Sequence, residues 1–130
     1  MALDGSSWCA SSATEGRTLG PVYDSLDLTP ALEVDEASTG DQGDDISVEA
    51  IASSNPDWIL VMDRDAAVSA DDPEYKPANE LLDSSDALAG VTAVSEGNIV
   101  YMPADTYTNE SIQTYTEFFN TFADALEAKA

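Results

Sequence analysis

Two aspartates stand directly behind the most apolar segment of the chain. The run from Trp58 to Met62 is uncharged, and Asp63 and Asp65 follow it in the order Asp-Arg-Asp. A carboxylate at the end of a buried strand can attack phosphorus while a second carboxylate acts as its acid partner beside Mg²⁺. The pattern is typical of a metal-dependent phosphatase in which Asp63 is the nucleophile and Asp65 the acid.

At this motif the chain resembles the haloacid-dehalogenase-like phosphatases, but the surrounding residues depart from that family. The family has Thr or Val two residues after the second aspartate, where this chain has Ala67. The lysines further along are Lys76, which is too close to the motif, and Lys129, which is at the end of the chain. The phosphatase is therefore retained only as an alternative interpretation.

Two of the four basic residues, Arg17 and Arg64, lie at the ends of predicted elements, one at the start of a helix and the other after a strand. Arg64 follows the apolar strand, and ligands of parallel α/β sheets bind beyond the carboxyl ends of the strands. Arg17 precedes a predicted helix whose first turn offers free backbone N–H groups and a positive dipole end. Both positions favour an anionic ligand. The alternative for each arginine is an ion pair with a nearby carboxylate.

The charge and composition exclude several classes of function. Asp and Glu number 26 against 4 Lys and Arg, which gives a net charge of -22 and repels nucleic acid and anionic lipid. We interpret this acidity as an aid to solubility or an adaptation to salt. The chain has no histidine and one cysteine, Cys9, which excludes an internal disulfide, a cysteine zinc cluster and a Ser-His pair. Much enzyme chemistry is thereby closed off, and apart from the phosphatase alternative we expect no catalysis, cofactor or bound metal.

The elements that position these residues begin with a fragmentary strand at Ala2 and Leu3 and a short helix behind Gly16 and Arg17. Residues 35–45 combine carboxylates with two glycines and have no apolar periodicity, which predicts an exposed loop. Ser47 is predicted to cap a helix that Asn55-Pro56 stops, because proline disfavours the α conformation in the residue before it. The β-rich run from Trp58 to Met62 predicts a central parallel strand covered on both faces.

The second half of the chain continues the alternation of helices and strands. Apolar spacing predicts two short helices, one around Leu81 and one over residues 87–91, and Gly97-Asn98 is predicted to turn the chain into a strand over residues 99–102. A final amphipathic helix from Ile112 to Leu126 is predicted to begin at a Thr108 or Asn109 cap. This order predicts an α/β fold, a three-layer sandwich with a mainly parallel sheet.

Three segments carry a resemblance to a known family. They are ISVEAIASSNPDWILVMDRDAA at residues 46–67, GNIVYM at residues 97–102, and EGRTLGPVYDSLDL at residues 15–28. In this order they resemble the C-terminal lobe of siderophore-binding proteins of ABC importers, in the branch that takes catecholate-type ferric siderophores. The resemblance implies that residues 1–130 form a single lobe of a bilobal, periplasmic-binding-protein-like fold, with the N-terminal lobe lying outside this sequence.

The same resemblance implies a function and a set of binding residues. The protein would bind a ferric siderophore between its lobes, without catalysis, and deliver it to an ABC transporter permease. Arg17 and Arg64 would face the negative charge of the chelate, and Gln42 and Tyr107 would line the cleft. Gln42 stands where some relatives have a histidine, so no direct iron ligand is expected; the alternative for Tyr107 is an exposed loop residue.

The same resemblance also implies where the protein acts and what it contacts. It would be extracellular or periplasmic, anchored to the membrane as a lipoprotein in its full-length form, and surface carboxylates would dock on the permease. Apart from the phosphatase, the remaining alternative is an acidic domain with a purely structural role.

Overall fold

The computed structural model describes residues 2–4, 9–10, 18–32, 44–45 and 47–130. Its strands are β1 (Ala2–Asp4), β2 (Cys9–Ala10), β3 (Asp44–Asp45), β4 (Ile59–Met62) and β5 (Ile99–Tyr101). Its helices are α1 (Gly20–Leu26), α2 (Val48–Ser54), α3 (Arg64–Val68), α4 (Ala78–Asp83), α5 (Thr92–Ser95) and α6 (Ile112–Lys129).

The described strands form one sheet in the order β3-β2-β1-β4-β5. β4 lies parallel to both of its neighbours, with Leu3 opposite Val61 and Leu60 opposite Val100. Only β2 runs against the others, since it is antiparallel to β1 and to β3. The prediction of a mainly parallel sheet with a central strand after Trp58 is confirmed.

Helices cover both faces of β4, and all four residues of the strand are buried. Ile59 and Val61 pack with residues of α2, α4 and α5, while Leu60 and Met62 pack with residues of α1 and α6. Each such side chain contributes about 1.5–3 kcal/mol when it is removed from water. The sequence of strand β4 is apolar throughout because both of its faces are interior, and the predicted three-layer sandwich is confirmed.

Helix α2 begins and ends where the sequence predicts. The Ser47 hydroxyl accepts a hydrogen bond of 3.1 Å from the backbone N–H of Ala50. At the other end, Asn55 takes a left-handed conformation with φ of 42°. The side-chain oxygen of Asn55 also accepts a hydrogen bond of 2.8 Å from the backbone N–H of Thr92. The residue that stops α2 therefore also holds the start of α5.

Two predicted boundaries differ from the structure in detail. Helix α1 begins at Gly20, with Leu19 as its N-cap and Pro21 in its first turn, and so it starts three residues after Arg17. Asp44 and Asp45 form strand β3 inside the segment 35–45 that was predicted to be a loop. Pairing with β2 determines this strand, and its own residues give no apolar pattern.

The helix predicted over residues 87–91 is also wrong, because consecutive turns occupy this segment. Leu88 donates its N–H to the carbonyl oxygen of Ser85, and Val91 donates to that of Leu88, three residues back in each case. Such turns bury Leu88 and Val91 at the same spacing as a helix would. The short helix, α5, begins only at Thr92.

Helix α6 begins at Ile112 as predicted, but it extends three residues beyond the predicted end at Leu126 and has a different cap. Ser111, not Thr108 or Asn109, accepts a hydrogen bond from the backbone N–H of Thr114. The prediction of a Thr108 or Asn109 cap is therefore wrong by two to three residues. Among the described residues, no helix is both long enough and apolar enough to cross a membrane.

Candidate ligand-binding site

The end of β4 is fixed by the carboxylate of Asp63. One oxygen, Oδ1, accepts a hydrogen bond of 3.1 Å from the backbone N–H of Ala66 and so caps α3. The other oxygen, Oδ2, accepts from the Tyr75 hydroxyl at 2.9 Å and from the backbone N–H of Ala78 at 3.0 Å. One side chain therefore joins the end of β4, the start of α3 and the start of α4.

These bonds give Asp63 a structural role. Burial of the Tyr75 hydroxyl, followed by its hydrogen bond to Asp63 and the charge of that carboxylate, raises the pKa of Tyr75 to about 12. Both oxygens of Asp63 are engaged with protein donors, which leaves neither aligned for attack on a phosphoryl group. The phosphatase interpretation built on Asp63 and Asp65 therefore receives no support from the geometry.

The residue after Asp63 is Arg64, the first residue of α3. Its guanidinium carbon lies 5.1 Å from the centroid of the Tyr107 ring. Tyr107 follows β5, the strand beside β4, so both residues stand at the carboxyl edge of the sheet. An arginine over an aromatic face at this distance makes a cation–π contact. Two of the residues selected from the sequence are thus brought together.

The guanidinium of Arg64 has no hydrogen-bond or ion-pair partner among the described residues. Its Nε atom is buried and unpaired. Arginine has five N–H donors in a fixed fork, and leaving a buried donor unpaired costs about 1–3 kcal/mol. The alternative interpretation was an arginine paired with a surface carboxylate. Arg64 forms no such ion pair within the described part of the chain.

Tyr107 lies in a connection between β5 and α6 that is held by its own hydrogen bonds. Thr106 is almost fully buried, and its hydroxyl donates to the carbonyl oxygen of Pro103 at 2.6 Å. The backbone N–H of Asn109 donates to the carbonyl oxygen of Asp105 at 2.8 Å, and its side chain donates to the Asp105 carboxylate at 3.0 Å. Tyr107 itself is half-buried and packs against the α1–α6 side of the core. The ring beneath Arg64 therefore has a defined position.

A second network joins this connection to the residue that follows Arg17. The Thr18 hydroxyl donates to Glu110 Oε2 at 3.4 Å, and the Tyr115 hydroxyl oxygen lies 2.8 Å from the Thr18 carbonyl oxygen and 2.5 Å from Glu110 Oε1. Thr18 is buried although it is polar, which is consistent with its pairing. Thr18 is therefore attached to the loop and helix next to Tyr107.

Two of the four binding residues predicted from the sequence, Arg17 and Gln42, lie outside the described residues. Arg64 and Tyr107 are described and are in contact. The sequence interpretation missed Thr18 and Glu110, and it assigned Tyr115 to packing alone. Tyr115 does pack against the core, but its hydroxyl also forms a polar contact. No local pattern marks these residues, although the hydroxyl of a tyrosine that lies in a core usually needs a partner.

Comparison with known proteins places this geometry in a family. A sequence model described as "Periplasmic binding protein" matches residues 5–106. The petrobactin-binding protein YclQ of Bacillus subtilis is 27% identical over 110 residues, which cover 83% of this chain and 32% of that protein. The crystal structure of YclQ superposes with a TM-score of 0.74 at 21% identity, covering 97% of this chain and 42% of YclQ.

Other solved structures show the same fold. The catecholate-siderophore-binding protein VctP of Vibrio cholerae matches with a TM-score of 0.73 at 22% identity, over 95% of this chain and 43% of VctP. The iron-uptake substrate-binding protein PiuA of Streptococcus pneumoniae matches with a TM-score of 0.69 at 18% identity, over 95% of this chain and 42% of PiuA. The chain thus spans about a third of the curated relative and about two-fifths of the solved ones. Because the family model matches most of its residues, the chain belongs to the periplasmic binding protein family.

Proposed function

We propose that residues 1–130 form the C-terminal lobe of a substrate-binding protein that takes up a ferric siderophore in an interlobe cleft and delivers it to an ABC transporter permease. The observation that carries this proposal is the guanidinium of Arg64, held over Tyr107 without a partner among the described residues. The names of three similar proteins support the ligand class, since they describe binding of petrobactin, binding of a catecholate siderophore and iron uptake.

The chemistry of the guanidinium suits a catecholate chelate. A ferric tris-catecholate is anionic, and its oxygens can accept the paired N–H donors of arginine in charge-assisted hydrogen bonds. The plane of the guanidinium can also face the aromatic rings of the ligand. A local positive charge is needed because the chain as a whole carries -22. Arg64 supplies this charge at the edge of the sheet where ligands of α/β folds bind.

We extend the proposed site to Arg17 and Gln42. Thr18, the neighbour of Arg17, is bonded to Glu110, and Glu110 lies in the same connection as Tyr107. This attachment holds Thr18, the next residue in the sequence after Arg17, beside the connection that carries Tyr107. Gln42 rests on the sequence resemblance alone. In this proposal neither residue binds iron directly, and the siderophore is a transported ligand, not a cofactor.

We base the remaining parts of the proposal on the resemblance to substrate-binding proteins of ABC importers. The protein acts outside the cytoplasmic membrane, is held there as a lipoprotein, has a permease as its protein partner, and performs no catalysis. Surface carboxylates, which this chain has in excess, would form the docking contacts with the permease.

The test is a ligand survey on the intact protein, since the proposed cleft needs both lobes. Quenching of tryptophan fluorescence is measured with a ferric catecholate, a ferric hydroxamate, haem and cobalamin. We expect saturable quenching by the ferric catecholate, with weaker quenching by the other three. If only haem or cobalamin quenched the fluorescence, that compound and not a ferric siderophore would be the ligand class. An absence of quenching by every chelate would contradict the proposal.

A further inference from the structure

A cavity lies at the amino-terminal ends of the parallel strands, whereas Arg64 lies at their carboxyl-terminal ends. It has a volume of about 410 Å³ and is bounded by the end of α1, the end of α2, the start of β4 and one face of α6. Trp58, which lines it, precedes β4, whereas Arg64 follows β4. Because a strand advances about 3.3 Å per residue, the two sites stand at opposite ends of the central strand. This cavity is therefore separate from the proposed siderophore cleft.

The floor of the cavity is apolar and aromatic. Leu60 and Phe122 are buried there, and the Trp58 ring meets the Phe122 ring edge-on with centroids 5.5 Å apart. Its volume lies within the range of about 300–1,000 Å³ usual for small-molecule sites, which are mostly apolar with a few placed polar groups. A molecule that enters would therefore be bound chiefly through contact with rings and aliphatic side chains.

One polar group that lines the cavity makes no hydrogen bond to the described protein. Tyr23 is 4% exposed, and its hydroxyl makes no hydrogen bond to any residue that the structure describes. Its backbone carbonyl, by contrast, accepts from the N–H of Leu28 at 3.1 Å. Burial raises the pKa of Tyr23 to about 12, so the hydroxyl keeps its proton and remains a donor. The Tyr23 hydroxyl oxygen is not among the buried, unpaired side-chain atoms of the described residues, so it is accessible and can donate a hydrogen bond to an acceptor in the cavity.

The charge around the cavity selects against anions. The carboxylate of Asp57 stands at the rim, and the chain carries -22 overall. The rim is also open, since Leu126 is 44% exposed there. A charged group of either sign would lose its hydration against the apolar floor. We infer that this cavity is a second binding site, for an uncharged, ring-containing apolar molecule that carries one hydrogen-bond acceptor for the Tyr23 hydroxyl.

The inference is tested with two probes of similar shape on the intact protein. Benzophenone has two rings and a carbonyl acceptor, and diphenylmethane has the same two rings without it. Saturation-transfer NMR titrations give a Kd for each probe with wild-type protein and with Tyr23→Phe, which removes only the hydroxyl. We expect Tyr23→Phe to weaken benzophenone binding roughly three- to tenfold, the usual effect of one hydrogen bond, and to leave diphenylmethane binding unchanged.

Two further variants locate the effect. Leu126→Trp narrows the rim and should weaken binding of both probes, whereas Tyr101→Phe removes a tyrosine hydroxyl that does not line the cavity and should affect neither. Circular dichroism confirms that each variant is folded. Failure of both probes to bind, or equal benzophenone affinity in wild type and Tyr23→Phe, would overturn the inference. Neither result bears on the siderophore proposal, which concerns the opposite edge of the sheet.

Discussion

The guanidinium carbon of Arg64 lies 5.1 Å from the centroid of the Tyr107 ring. These residues follow adjacent parallel strands, and the register of β4 with β5 places the two strand ends side by side. Met102 extends this pairing, since its N–H donates to the Val61 carbonyl oxygen at 2.8 Å. Strand pairing thus brings Arg64 and the connection that carries Tyr107 to the same end of the sheet, and their contact defines the centre of the proposed ligand site.

Replacing the Tyr107 ring should reduce ligand affinity by releasing Arg64. A cation–π contact is worth about 0.5–2 kcal/mol, so Tyr107→Leu should weaken binding of the ferric catecholate by about two- to thirtyfold. Tyr107→Phe retains the ring face and should retain most of the affinity. Fluorescence titration of the intact protein measures both. Equal affinities for wild type and Tyr107→Leu would show that the ring does not position the arginine.

Asp63→Asn should destabilise the fold, because an amide nitrogen replaces one of the oxygens that accept hydrogen bonds from Tyr75, Ala78 and Ala66. The expected loss is about 1–3 kcal/mol in the free energy of unfolding, as for a buried donor left without its acceptor. Urea denaturation measures it. The matched control is Asp71→Asn, an exposed loop aspartate with no hydrogen bond in the described structure, which should change stability by less than about 0.5 kcal/mol. A similar effect of both variants would contradict the role assigned to Asp63.

The fold should lose stability at alkaline pH through the ionisation of two tyrosines, the buried Tyr23 and the half-buried Tyr75. The pKa values of Tyr23 and Tyr75 are raised from 10.0 to about 12, so the unfolded chain loses these protons first. Stability is therefore complete below about pH 10 and falls as the pH rises toward about 12, by about 1.4 kcal/mol per pH unit for the buried Tyr23 and by less for Tyr75, whose interactions are screened by solvent. Urea midpoints measured across this range should show the fall.

The double variant Tyr23→Phe, Tyr75→Phe is the control for this pH dependence. It has neither hydroxyl to ionise, so its urea midpoint should change less steeply over the same pH range. Burial also raises the pKa of Tyr101, which leaves a smaller residual slope. A double variant with the same slope as wild type would assign the alkaline loss to other groups.

Tyr115→Phe should loosen the segment that follows Arg17. The variant removes the hydroxyl that contacts the Thr18 carbonyl oxygen and Glu110, while the ring keeps its place in the core. We expect stability to fall by about 0.5–1.5 kcal/mol and amide exchange to become faster around Thr18. Hydrogen exchange read by mass spectrometry tests this, with Tyr101→Phe as the matched control. Unchanged exchange around Thr18 would show that this contact does not hold the segment.

The parts of the fold that the sequence predicts are those governed by local rules. The uncharged run before Asp63 predicts β4 because burial on both faces requires apolar residues at every position. Ser47 and Asn55 predict the ends of α2 because their preferences act within a few residues. The turns at Leu88 were mistaken for a helix because both conformations bury residues three apart.

The details of the site depend on contacts that no local rule describes. Asp63 bonds to Tyr75 and Ala78 across a loop, and Thr18 bonds to Glu110 and Tyr115 across most of the chain. Arg64 and Tyr107 could be selected from their positions after strands, but their contact depends on the order of β4 and β5 in the sheet. The unpaired Tyr23 hydroxyl gave no sequence signal, since its helical spacing predicted only a core residue.

The most direct test of the proposed site compares two variants of the intact protein, each of which lacks one positive charge. Arg64→Ala removes the proposed contact, and Lys129→Ala removes a charge near Glu96, at the opposite edge of the sheet. Binding of a ferric catecholate should weaken by about 10- to 100-fold in Arg64→Ala, as expected for a charge-assisted hydrogen bond, and by less than about twofold in Lys129→Ala. Equal affinities for Arg64→Ala and wild type would contradict the proposal that Arg64 is the centre of the siderophore site.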